Sequence, residues 1–143
     1  MQFQRFGERV QVRFESGEQV AASLLAWLKA EGIGFATMTG LGAVSSATVS
    51  YWNAEARAYE PHQLDDQMEV VSLIGNASIK DGEPFTHIHV TLGRRDLSII
   101  GGHLNDAVVR PNLELWIRPE AEAVERTLDA ACGLYVLKLS ERA

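Results

Sequence analysis

A chain of 143 residues, 46% hydrophobic and 22% charged, has the size and composition of one soluble globular domain with a core of its own. Its net charge of −6, with ten scattered arginines among 13 basic residues, speaks against a broad phosphate-binding face. No apolar run nears the roughly 20 residues that cross a bilayer, the start Met1-Gln2-Phe3-Gln4-Arg5 lacks a signal-peptide core, and the single cysteine, Cys132, excludes an internal disulfide.

A cytoplasmic protein is therefore expected, with no membrane partner and with Cys132 packed as a small residue near the last strand. Val10, Val12 and Phe14 alternate with Gln11 and Arg13 and predict a first half-buried strand. Ser16 suits an N-cap, with Gln19 completing a capping box and Glu18 in the first turn. Val20, Ala21, Leu24, Leu25 and Leu28 follow at helical spacing, Lys29 suits the last turn, and Gly32 supplies a left-handed stop. A long helix over about residues 17–31, covering one face of a sheet, is the expectation.

Residues 35–52 are small and β-favouring, and they predict two strands broken near Gly40 and Gly42. No third glycine, Lys-Ser/Thr pair or capped helix follows, so this is read as a tight strand connection and not as a nucleotide loop. A turn over 53–57, a short return strand over 58–62 and a polar break at Asp65-Asp66 come next. Residues 68–92 form a predicted hairpin across Asp81-Gly82. A strand-like segment follows at 97–100 and another at 112–118, where Leu113, Leu115 and Ile117 alternate with polar residues and Trp116. Pro119 opens a predicted short helix through Leu128, and 134–139 is the last strand. One α+β domain dominated by strands, spanning 1–143 with its core at about 8–140, is predicted.

Chemistry concentrates in two short runs, Phe85-Thr86-His87-Ile88-His89-Val90-Thr91-Leu92 and Gly101-Gly102-His103-Leu104. Side chains alternate on a strand, so His87 and His89 share one face, about 7 Å apart at Cβ, while Ile88, Val90 and Leu92 face the core. Each imidazole can reach a shared zinc-like ion about 2 Å from its ring nitrogen. An antiparallel return across Gly93-Arg94-Arg95-Asp96 can bring His103 to the open side of that pair. The glycines before it mark a bulge or a close backbone approach that re-aims the side chain. The same two histidines would also be ordinary on the wet face of a half-buried strand.

These runs resemble the signature of the PPC domain family, the plant and prokaryote conserved domain, also called DUF296. Thr39-Gly40-Leu41-Gly42-Ala43-Val44-Ser45-Ser46-Ala47 looks like its glycine-containing segment, and Glu69 with Ser72-Leu73-Ile74-Gly75 looks like its following strand. Matching segments run from about Val10 to Leu139, in family order. The resemblance implies a mixed, mainly antiparallel sheet packed with one long helix and one or more short ones, assembled as a homotrimer. It also implies a zinc or similar divalent ion on His87, His89 and His103. Two departures stand out. No Arg-Gly-Arg-Pro core is present, so the piece with which plant relatives enter the DNA minor groove is missing. The plant Gly-Arg-Phe-Glu-Ile-Leu stretch is replaced by Asp66-Gln67-Met68-Glu69-Val70-Val71, where only Glu69 matches outright.

Three functions are then open. The first is a stand-alone trimeric binding or regulatory module with a metal or small-molecule site, its pocket drawing on Gly101, Gly102, Glu69 and Glu83. The second is a metal-dependent enzyme on a small substrate, using the coordination position that three imidazoles leave open, with Glu69 or Glu83 as base. The third is DNA binding by analogy with the plant relatives, with Arg94 and Arg95 as contacts. His62, after Pro61, is read as solvated.

Overall fold

Residues 1–140 are described by the computed structural model. The expected single domain extends over 141–143, which lie outside the described residues. The chain forms β1 (Gln2–Phe6), β2 (Arg9–Glu15), α1 (Val20–Ala30), β3 (Ala36–Asn53), β4 (Ala58–Leu64), β5 (Met68–Lys80), β6 (Glu83–Gly93), β7 (Ile99–Pro119), β8 (Arg126–Asp129) and β9 (Leu134–Leu137). Seven strands join one sheet in the order β1-β2-β7-β6-β5-β3-β4, and β8 pairs with β9 separately. An additional β3–β7 ladder closes β3, β5, β6 and β7 into a ring. Every ladder among the described residues is antiparallel, and parallel pairing is confined to one bridge between Ile79 and Glu125, so the expected mixed sheet is corrected to an antiparallel one.

Period-two alternation decides which faces are buried. Val10, Val12 and Phe14 of β2, Leu113, Leu115 and Ile117 of β7, and Ile88, Val90 and Leu92 of β6 enter one apolar cluster. Val20, Leu24, Trp27 and Leu28 of α1 complete it, so the helix does cover a sheet face. No helix among the described residues is long and apolar enough to cross a membrane.

Four expectations are corrected. The helix is 11 residues long, and its N-cap is Gln19 without a side-chain cap. Gly17 sits at φ +90° and turns the chain before the helix can begin. The cap comes instead from far away: Asp106 Oδ1 accepts the Ala21 backbone N–H at 2.9 Å. The predicted break at Gly40 and Gly42 is a bulge inside one 18-residue strand. A Cβ on Gly40 would lie 2.5 Å from the Glu114 carbonyl oxygen, so the glycine serves close strand approach. β7 is likewise one strand of 21 residues that unites the two segments expected at 97–100 and 112–118.

The helix predicted after Pro119 does not form. Glu120 and Val124 give their backbone N–H groups to the carbonyls of Phe35 (2.9 Å) and Gly34 (3.3 Å), and Val124 accepts from Ile79 (2.9 Å). Those groups are committed to other elements and cannot build an i→i−4 ladder. Arg126 to Asp129 is a strand paired with β9, leaving α1 as the one helix among the described residues.

Candidate metal centre

The site is built where β6 and β7 meet. His89 lies directly opposite His103 in the antiparallel ladder, and Gly101 and Gly102 stand opposite Thr91 and Val90. On its other side His103 faces Ser50 of β3, so β7 is held between two strands at this point. The glycines permit that fit. A Cβ on Gly101 would sit 2.4 Å from the Val90 carbonyl oxygen, and one on Gly102 would sit 2.8 Å from that of Ser50.

The three imidazoles converge on the face opposite Ile88, Val90 and Leu92. Ring centroids lie 5.1 Å apart for His87 and His89, 5.2 Å for His87 and His103, and 5.7 Å for His89 and His103. One ring nitrogen from each lies within 4.8 Å of the other two, and the three could hold a metal ion. His87 Nε2 and His89 Nε2 are 3.2 Å apart. Two tetrahedral nitrogen ligands of zinc stand about 3.3 Å apart, given a bond of about 2.05 Å. The donor pair thus matches zinc without rearrangement. His103 Nδ1 is buried without a hydrogen-bond partner, an orphan that a ligand or ion would satisfy.

Electrostatics favour neutral rings. Burial, and then the neighbouring His87, His89 and Arg126, push the His103 pKa down to about 4. Burial, Arg126 and His89 lower that of His87. An unprotonated imidazole is the form that binds metal. The Tyr59 ring packs on His103 with centroids 4.8 Å apart, and beneath it Ser50 donates its hydroxyl to Asn105 Oδ1 at 2.5 Å.

The other candidates lie elsewhere. Glu83 opens β6 and is exposed in an ion pair with Lys29 Nζ at 2.7 Å. Glu69 stands opposite Gly93 and lines a small recess with Arg94 and Arg95. The two arginines occupy the β6–β7 loop with Asp66 and Asp96 beside them. His62 is an exposed residue of edge strand β4, opposite Val49.

A pocket at the histidines was expected, but the residue pattern did not reveal what lines the cavity of about 710 Å³ beside them, and Glu69, Glu83, Gly101 and Gly102 are not among its walls. His87 and His103 line it together with Trp52, Tyr59, Lys80 and Arg126. These residues come from separate elements, and Arg126 falls in the segment read as helical, so no local motif joins them.

An antiparallel-sheet domain with one covering helix and a three-histidine cluster on paired strands is the class of protein that fold and site define. The family model of the Plants and Prokaryotes Conserved (PCC) domain matches residues 1–119, and the chain belongs to that family. It is similar to the solved structure of a metal-containing protein from Archaeoglobus fulgidus, at 34% identity and a TM-score of 0.87 over 97% of this chain and 99% of that one. A plant- and prokaryote-conserved protein from Pyrococcus horikoshii is 31% identical, with a TM-score of 0.85 over 99% and 97% of the two chains. A protein from Bacteroides thetaiotaomicron, provisionally named as DNA-binding, is 28% identical, with a TM-score of 0.92 over 96% of each chain. No curated protein matches closely enough to lend the chain an activity.

Proposed function

We propose that this chain is a trimeric PPC binding or regulatory module that holds a zinc-like divalent ion on His87, His89 and His103. The observation that carries the reading is the convergence of three ring nitrogens within 4.8 Å of one another, one of them from a separate strand. The similar protein from Archaeoglobus fulgidus, described as metal-containing, supports it. Burial and the nearby guanidinium of Arg126 favour the neutral form of His87 and His103, the form that ligates metal. A cytoplasmic location belongs to the same reading, supported by the single cysteine, which is free.

Binding is favoured over hydrolysis because, among the described residues, no Asp or Glu lines the cavity at the histidines. Glu69 and Glu83, the candidate bases, stand outside it. An enzyme here would have to activate water on the metal or through a histidine, without a carboxylate base from the described cavity residues. DNA binding is the weaker reading. The name of the Bacteroides thetaiotaomicron protein favours it, but Asp66 and Asp96 flank Arg94 and Arg95 and oppose phosphate there.

Elemental analysis of protein purified without an affinity tag tests the proposal. About one zinc-like ion per chain is expected, with His87→Ala and His103→Ala each losing it. Altering a group that merely orients a ligand lowers affinity about 10–100-fold, so removing a ligand should exceed that. Wild-type protein that takes up no divalent metal after dialysis against zinc would sink the reading.

A further inference from the structure

The cavity beside the histidines is electropositive although the chain carries a net charge of −6. Arg57, Lys80 and Arg126 line it, and no Asp or Glu among the described residues does. None of the three cations has a carboxylate partner among the described residues. Arg126 is the most constrained of them. Its Nε–H donates to Ser78 Oγ, its Nη1 to the Tyr135 carbonyl and its Nη2 to Asn76 Oδ1, each at 2.8 Å. All three acceptors are neutral, so they fix the guanidinium plane without cancelling its charge. A guanidinium has five N–H donors, and two remain for a ligand.

The walls are aromatic. The Arg126 Cζ lies 5.1 Å from the Phe85 ring centroid, and Lys80 Nζ lies 3.9 Å from that of Tyr135. Trp52 and Tyr59 pack edge to face at 4.9 Å and carry the wall on to His103. The volume of about 710 Å³ is ample for a small organic molecule. A partly buried cation without a counter-charge is unfavourable until an anion supplies one. A planar guanidinium with two free donors matches a carboxylate, and rings on either side match an apolar body.

We propose that this cavity binds a small organic carboxylate with an aromatic or apolar body, its anionic end on Arg126 and Lys80 and its body between Trp52, Tyr59 and Phe85. This deepens the reading of the chain as a binding module and rests on it, by naming the class of ligand. Arg126 comes from β8, beyond the residues 1–119 that the family model matches, so the family match by itself does not carry this site.

Titration calorimetry with benzoate, its neutral counterpart benzamide, and inorganic phosphate tests the assignment, on chelator-stripped and on zinc-loaded protein. Benzoate is expected to bind both forms more tightly than benzamide or phosphate. Arg126→Gln should weaken it about tenfold or more by removing a charge-assisted hydrogen bond. Arg126 also ties β8 to β5, so Lys80→Gln, which leaves those bonds intact, is measured in parallel and should weaken benzoate in the same direction. Benzoate that binds no more tightly than benzamide, binds no more tightly than phosphate, or is indifferent to both substitutions overturns the proposal. The metal reading fails separately: benzoate bound by a protein that takes up no zinc leaves the carboxylate site standing, and zinc bound without benzoate removes only that site.

Discussion

A histidine that is neutral in the fold and protonated in the unfolded chain makes stability depend on pH. His103 titrates at about 4 in the folded protein, against an ordinary value of 6.5. Between those values the unfolded chain binds a proton that the folded chain does not, so the folded state is favoured as pH rises. Stability of the metal-free protein should therefore fall as pH drops from about 6.5 to about 4 and cease to change on this account below that. The lowered pKa of His87 acts in the same direction. Urea unfolding across this range, compared with His103→Gln, isolates the effect, because carboxylates such as Glu18 contribute equally to both proteins. Equal slopes in the two would show that the ring is not held neutral. With zinc present, metal content should decline in the same window, and full retention below pH 4 would speak against imidazole ligation.

At the scale of elements, the site depends on how closely β7 lies against β6 and β3. A Cβ on Gly101 meets a backbone carbonyl, not a flexible side chain, so Gly101→Ala must push the strands apart. The expected cost is about 1–3 kcal/mol, as for overpacking, with a matching loss of zinc uptake as His103 shifts from its position opposite His89. Chemical denaturation and metal analysis of one preparation would read both, and an unchanged zinc content would show that β7 yields without moving the ring. Strand faces and the outward histidine pair were legible in the sequence because both follow from period two: Ile88, Val90 and Leu92 went inward and His87 and His89 outward, while His103 joins them through the antiparallel pairing of β6 and β7. Element ends were not. The helix start is set by Asp106, 85 residues from the N–H it caps, and a local capping box cannot report such a partner. The helix drawn through 119–128 obeyed local rules, yet its backbone groups bond to Gly34, Phe35 and Ile79. The lining of the cavity was hidden for the same reason, since its walls meet only through tertiary pairing.

For the whole molecule, the question left by the fold is what covers its outward apolar side chains. Scattered exposed hydrophobics are ordinary, but a contiguous group marks an interface. Val71 and Ile99 are 56% and 57% exposed and flank Gly93, where a Cβ would lie 3.2 Å from Val71 Cγ2 and 3.8 Å from Ile99 Cδ1. Ile74, 61% exposed, stands opposite His89 on the face that carries the imidazoles. Association through this side would bury apolar surface and bring a second copy close to the metal centre, which suits the proposed homotrimer. Val71→Asp combined with Ile99→Asp should therefore shift the mass from trimer to monomer in sedimentation or light scattering. Far-UV circular dichroism should stay unchanged, because neither side chain belongs to the core cluster. A variant that remains trimeric would move the interface to another face. A wild-type protein that is monomeric at micromolar concentration would remove the trimer altogether, leaving the histidine cluster complete within one chain.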